Sequence, residues 1–337
     1  MKTVTINGDD YWLPVNWNEL SAEQLLAISR MSLQPQSAVE IKVKALFYLL
    51  GFTVERMKER IFSTTLEEAS TGNAIPREQR YQEEAFYVNA GNKHVYLLGS
   101  ADIVYLSNQM NFLFSITKDD EGKVSYQFQS KLFRQLIPAI KIKEPHPTIP
   151  LARGGNILYG PADGLNNLLF SEFVIAENYY ANFIKNPQSQ NAELLIATLY
   201  RPQIAGYNAN LPEHGTDCRE PINDNTIIKR AVAIAKIKPE LRQAILFWYE
   251  GCKWFLRGKF PHVFDVSTSL DKPCNSRIRS NKQSVFEDYL KLVSTLAKND
   301  ATRVDAWMNT PLYTVMTAME NLRLEQIEME KVYHKGR

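Results

Sequence analysis

From Leu165 to the C-terminus the apolar residues recur every three or four positions, and no other feature of the chain constrains its fold as strongly. That period belongs to one buried face of an α-helix; a half-buried strand would alternate every second residue. Phe170, Phe173, Val174, Ala176 and Tyr180 form such a stripe within residues 165–185, and Pro187 breaks it. Residues 192–200 read as a short apolar helix that ends before Pro202. Asn223 or Asn225 can cap a helix running through Ile228, Val232 and Ile234. Pro239 suits a first helical turn and opens a helix carrying Leu241, Ala244, Ile245, Phe247, Trp248, Cys252, Phe255 and Leu256. Ser284 caps a further helix through Phe286, Tyr289, Leu292, Val293 and Leu296, and residues 303–308 and 312–331 supply the last two. A mainly α-helical fold follows, with a small N-terminal β-hairpin and few short strands.

The N-terminal half is more mixed. Strand-like residues 3–7 and 10–15 flank Asn7-Gly8, a strong two-residue turn signal. Ser21, followed three residues later by Gln24, makes a capping box for the first helix. Ser37 starts a second helix that Gly51 can stop. Residues 53–68 are expected to form a third, more charged helix, and residues 100–111 are helix-like; strands are expected mainly within 3–15, with 95–98 and 124–129 as further candidates. Pro138, Pro145, Pro147, Pro150 and Gly154-Gly155 interrupt regular structure over residues 138–164. This segment reads as a connection between a hairpin-plus-helix domain, 1–137, and a helical domain, 165–337, or as a long loop on one body.

Charge and chemistry narrow the function. Lys and Arg total 39 against 37 Asp and Glu, so there is no global attraction to nucleic acid or anionic membrane. No apolar run reaches eighteen residues and Met1 is followed by polar, strand-like residues, so neither a spanning helix nor a secretory signal is expected. Cys218, Cys252 and Cys274 are too sparse for a disulfide framework and lack zinc-site spacing. Glu213, His214, Asp217, Cys218 and Glu220 carry metal-capable atoms, but within one polar loop, 201–222, that reads as solvated. Cys252 lies on the apolar side of its helix, which suits packing better than a nucleophile paired with His262. Gly154-Gly155 leads into Ile157-Leu158-Tyr159 and not into a helix, so it makes a poor phosphate cradle. Glu172 and Glu177 are five apart and face different directions, which suits buried polar pairs that specify packing, Glu172 with Asn178 or Glu177 with Tyr180, and not acid–base work. No enzyme activity, cofactor or metal is expected.

Two features remain. Lys272, Arg277, Arg279 and Lys282 form a basic loop over 272–282 that could touch phosphates, which supports an alternative as a nucleic-acid-associated protein. Phe247, Trp248, Tyr249, Trp254, Phe255 and Phe260 place six aromatics in fourteen residues, more than one helical stripe can hold. Either that helix is central and buried all round, or one face meets a partner. Trp254, Arg257 and Phe260 are the candidate partner-binding residues, of the types that anchor protein interfaces.

Several patches carry a resemblance. Asn7-Gly8, Tyr11-Trp12-Leu13-Pro14 and Trp17-Asn18-Glu19-Leu20 resemble the opening of proteins from phage and prophage tail gene modules of Bacteroidetes-type hosts. Leu158-Tyr159-Gly160-Pro161-Ala162-Asp163-Gly164-Leu165, Tyr200-Arg201-Pro202, Asp217-Cys218-Arg219-Glu220-Pro221 and Phe260-Pro261-His262-Val263-Phe264 are similar to their middle segments. Met308-Asn309-Thr310-Pro311-Leu312-Tyr313 resembles the end of tail-assembly proteins. The resemblance implies a tail-assembly chaperone-like or minor structural protein, in the bacterial cytoplasm or on the virion. Its partners would be other phage structural or assembly proteins, or a second copy of itself. The resemblance brings no catalytic residues, and the chain is much longer than small tail chaperones.

Overall fold

The computed structural model describes residues 1–66, 77–90, 95–118, 124–142, 156–211, 215–264 and 285–335. Helices make up most of its regular structure and strands the smaller part, so the fold is mainly α-helical. The chain divides into two compact units, Met1–Ile116 with Ser125–Phe128, and Thr117–Val124 with Gln129–Arg337.

The first unit opens with an antiparallel hairpin, β1 (Lys2–Ile6) and β2 (Asp9–Leu13). Asn7 and Gly8 between them have φ of 51° and 92°, the two left-handed residues that a tight hairpin turn needs. Ser21 and Gln24 cap α1 (Ala22–Ser32) reciprocally, and Ser37 and Glu40 do the same for α2 (Ala38–Leu50). Gly51, at φ 72°, ends α2. Leu25, Ile28, Ile41, Ala45 and Leu46 are buried from these helices, and the Trp17 indole beside them is buried with its N–H donating to the Phe112 carbonyl at 3.0 Å.

Next come β3 (Thr53–Leu66), β4 (Arg77–Asn89) and β5 (Val95–Gly99), an antiparallel sheet in that order, then α3 (Ser100–Ser107). The third helix expected over 53–68 is therefore a strand through Leu66. Its charged centre, Glu55 to Arg60, favours a helix locally, but β-branched and aromatic residues flank it at Thr53, Val54, Ile61, Phe62, Thr64 and Thr65. Pairing with β4 along nearly the whole strand decides the outcome, as strand formation depends on neighbours more than on local preference. A further pair, β6 (Phe114–Lys118) and β7 (Val124–Phe128), closes this half of the chain.

The second unit holds the antiparallel pair β8 (Ala139–Ile142) and β9 (Asn156–Tyr159) and seven helices among the described residues. They are α4 (Phe170–Lys185), α5 (Asn191–Leu199), α6 (Asp224–Ile234), α7 (Pro239–Lys259), α8 (Val285–Leu296), α9 (Ala301–Met308) and α10 (Leu312–Lys335). The described strands of the segment read as a connection, β8 and β9, pair with each other within this unit. The segment's neighbours are tied into the helices: the Trp248 indole donates to the Phe133 carbonyl at 3.2 Å, and the Tyr200 hydroxyl donates to that of Ile137 at 2.7 Å. Gln135 donates to the Pro161 carbonyl at 2.9 Å. Among the described residues no helix is long and apolar enough to cross a membrane.

Candidate partner-binding site

α7 carries most of the aromatic surplus, and its burial divides the six rings. Phe247, Trp248, Tyr249 and Phe260 are buried, and Phe255 is half-buried, stacked on Phe133 at 4.6 Å between ring centroids. Trp254 alone of the six is exposed, at 42%. The three candidate residues therefore do not share one surface. Phe260 belongs to the core at the end of α7, packed edge-on against Tyr313 at 5.9 Å, and is corrected from the partner-binding set. Arg257 is half-buried one turn beyond Trp254.

The residues around Trp254 are charged. The Lys131 ammonium lies 4.8 Å from the Trp254 ring centroid, a cation–π contact. One turn back, Glu250 accepts a hydrogen bond from the Ser130 backbone. Lys253 is held from behind: its ammonium is 2.9 Å from Glu177 Oε2 and 4.1 Å from the Tyr180 ring centroid, and the Tyr249 hydroxyl donates to Glu177 Oε1 at 2.7 Å. Lys131, from the segment before β8, is thus the charged group set against the exposed indole, while Glu250 and Lys253 are tied to Ser130 and Glu177. The sequence reading missed Glu250, Lys253 and Lys131. Helical spacing was a usable signal for the first two; none exists for Lys131, which tertiary packing brings in.

Glu250 is the titratable member. Burial raises its carboxyl from the ordinary 4.5 to about 7, with Lys253 and Arg257 opposing the shift. A carboxyl with a raised folded-state pKa binds its proton more tightly in the native than in the unfolded chain. Stability is therefore greatest below the unfolded value and falls as pH rises from about 4.5 to about 7. The residue keeps some exposure, so the loss is about 2–3 kcal/mol at most. Denaturant unfolding at pH 5 and pH 8 should show a smaller loss across this window for Glu250→Gln than for wild type; equal losses would contradict the assignment.

A second charged cluster lies inside the unit, around the C-terminal end of α5. Arg219 donates from Nη1 to the Leu199 carbonyl at 2.9 Å, and Arg230 donates from Nε to that of Ala197 at 3.1 Å. Both guanidinium groups thus meet the negative end of the helix dipole. Arg219 also grips Asp217 through Nε at 2.8 Å and Nη2 at 2.7 Å. Arg201 Nη1 is 2.7 Å from Glu172 Oε1, whose other oxygen is 3.4 Å from Arg219 Nη2. Arg201 is buried and meets Asp217 only at 3.8 Å. Glu172 and Glu177 are thus both buried polar anchors, as their sequence positions suggested, though their partners are distant arginines, a lysine and a tyrosine.

The remaining chemistry is quickly placed. Burial pushes the Cys252 thiol well above its ordinary range, and its sulfur lies 3.8 Å from the Phe133 carbonyl. His262 contacts Glu320 Oε1 through Nδ1 at 2.6 Å, with the Val263 amide donating to the same carboxylate at 2.9 Å. Among the described residues no three His, Cys, Asp or Glu side chains converge as metal ligands. The basic loop 272–282, Gly154-Gly155, Glu213 and His214 lie outside the described residues. The chain matches no family model, no curated protein and no solved structure.

Proposed function

We propose that this protein is a non-enzymatic, phage-derived assembly or structural protein that acts by binding other phage structural or assembly proteins. The observation that carries the reading is Trp254. It stands exposed on a helix whose other rings are buried or half-buried, with the Lys131 ammonium over its ring. A large exposed indole beside a cation suits an interface anchor. The buried carboxylates support the same reading from another side. Glu172, Glu177 and Glu320 each hold two or more protein groups that link separate elements, a role in fixing the scaffold. The site of action on this reading is the bacterial cytoplasm or the virion.

Co-expression with the products of flanking genes, followed by affinity capture, tests it. The Trp254→Ala/Arg257→Ala double variant should unfold at the wild-type temperature within a few degrees and capture its partner at least roughly tenfold more weakly, as loss of an interface anchor does. A folded double variant that retains every partner at wild-type affinity would refute the proposed surface.

A further inference from the structure

Three arginines meet in the interior of the second unit. Arg201 follows α5, Arg219 lies on the segment that pairs with Gln203, and Arg230 comes from α6; all three are buried. Arg219 is well held, by Asp217 and the Leu199 carbonyl. The other two keep donors to spare. Arg201 touches Glu172 through Nη1 at 2.7 Å, and its Nη2 is 3.8 Å from Asp217, too far for a hydrogen bond. Arg230 donates from Nε to the Ala197 carbonyl and from Nη1 to Thr226 Oγ1, each at 3.1 Å. Nε and Nη2 of Arg201 and Nη2 of Arg230 are out of contact with solvent, and among the described residues no hydrogen-bond acceptor meets them. Buried donors in native proteins are nearly always satisfied, so these three point to a further acceptor.

The charge is out of balance at the same place. Of the carboxylates that face these arginines among the described residues, Glu172 is buried, Asp217 is part-exposed and Glu220 is exposed. Glu172 and Asp217 together leave one of the three buried positive charges without a countercharge in the interior. Arg201 is close enough to both Arg219 and Arg230 for repulsion. Burial, with that repulsion, pulls the Arg230 guanidinium down to about 10, which still leaves it charged at neutral pH.

We infer that Arg201 and Arg230 together bind one small monovalent anion of the chloride class, which accepts from the free donors of both. The surroundings set its size and its charge. The donors have no contact with solvent, which suits a monatomic ion and not a phosphate or a sulfate. One excess positive charge needs one negative charge, and a divalent oxyanion would overshoot it. A buried water would satisfy the donors but leave the charge unbalanced. The ion fastens the residues after α5 to α6. Neither arginine belongs to the Trp254 surface, so this inference stands or falls apart from the proposed partner binding.

Equilibrium unfolding of the full chain at neutral pH, with gluconate exchanged for chloride at constant ionic strength, tests it. Gluconate is too large for the site. Chloride should stabilise wild type, and above half-saturation each tenfold rise in chloride should lower the unfolding constant about tenfold, as for one ion held only by the folded chain. Arg230→Gln keeps an amide donor and removes the charge, so it should need at least about tenfold more chloride for the same effect. Arg201→Gln is read in the same way should Arg230→Gln not fold. Crystals grown in bromide should show an anomalous peak between Arg201 and Arg230. Wild-type unfolding that is indifferent to the exchange, as a site holding only water would be, would overturn the inference. So would a folded variant that keeps the wild-type chloride dependence.

Discussion

Gly251→Ala is expected to destabilise the protein by about 1–3 kcal/mol or to prevent the second unit from folding, although alanine is the better helix former. Gly251 lies in the interior of α7, where glycine should cost about 1 kcal/mol relative to alanine. A Cβ at that position would sit 2.2 Å from the Leu132 carbonyl oxygen and 2.3 Å from the Leu132 amide nitrogen. Both are backbone atoms. Leu132 is buried, and the adjoining Phe133 carbonyl receives the Trp248 indole, so the segment is held in place and cannot simply retreat. Gly258, on the same helix, supplies the control, since a Cβ there meets nothing within 4 Å. Gly258→Ala should stabilise by roughly 0.5–1 kcal/mol. Denaturant unfolding of both variants gives opposite signs if α7 and Leu132 approach as described. Stabilisation in both would mean that the close approach is wrong.

Gly251 also shows where the sequence stops being legible. The helix around it could be read, because apolar spacing, Pro239 at the start and Gly258 with Pro261 at the end are all local signals. The reason for glycine could not, since Leu132 is far away along the chain and nothing in either segment announces the other. The same division runs through the molecule. Ser21 with Gln24, the Asn7-Gly8 turn and Asn223 as a cap were readable because the groups that satisfy one another lie within three residues. β3 was misread because its charged centre resembles a helix face, and the deciding pairing with β4 comes from beyond residue 76. The candidate site follows suit: the aromatic excess was countable, but only packing shows that Trp254 stays at the surface while Phe260 turns inward.

The buried arginine cluster predicts the second large effect. Glu172→Leu should cost about 3–5 kcal/mol, the usual consequence of removing one partner from a buried ion pair. The physical reason is the asymmetry between the two arginines that Glu172 serves. Arg219 keeps two bonds to Asp217 and one to the Leu199 carbonyl when Glu172 is gone. Arg201 keeps only Asp217 at 3.8 Å, inside an interior that already disfavours its charge, with Arg219 close enough to repel it. A guanidinium cannot shed its proton to escape, so Glu172→Leu leaves a buried cation without adequate compensation. Removing that cation as well should recover much of the loss. The Glu172→Leu/Arg201→Met double variant is therefore expected to be more stable than Glu172→Leu alone, with the two substitutions coupled by at least about 1.5 kcal/mol. A double-mutant cycle in denaturant measures this directly. If the two losses simply add, Arg201 and Glu172 are not each other's countercharge, and the cluster holds the residues after α5 to α4 by packing alone.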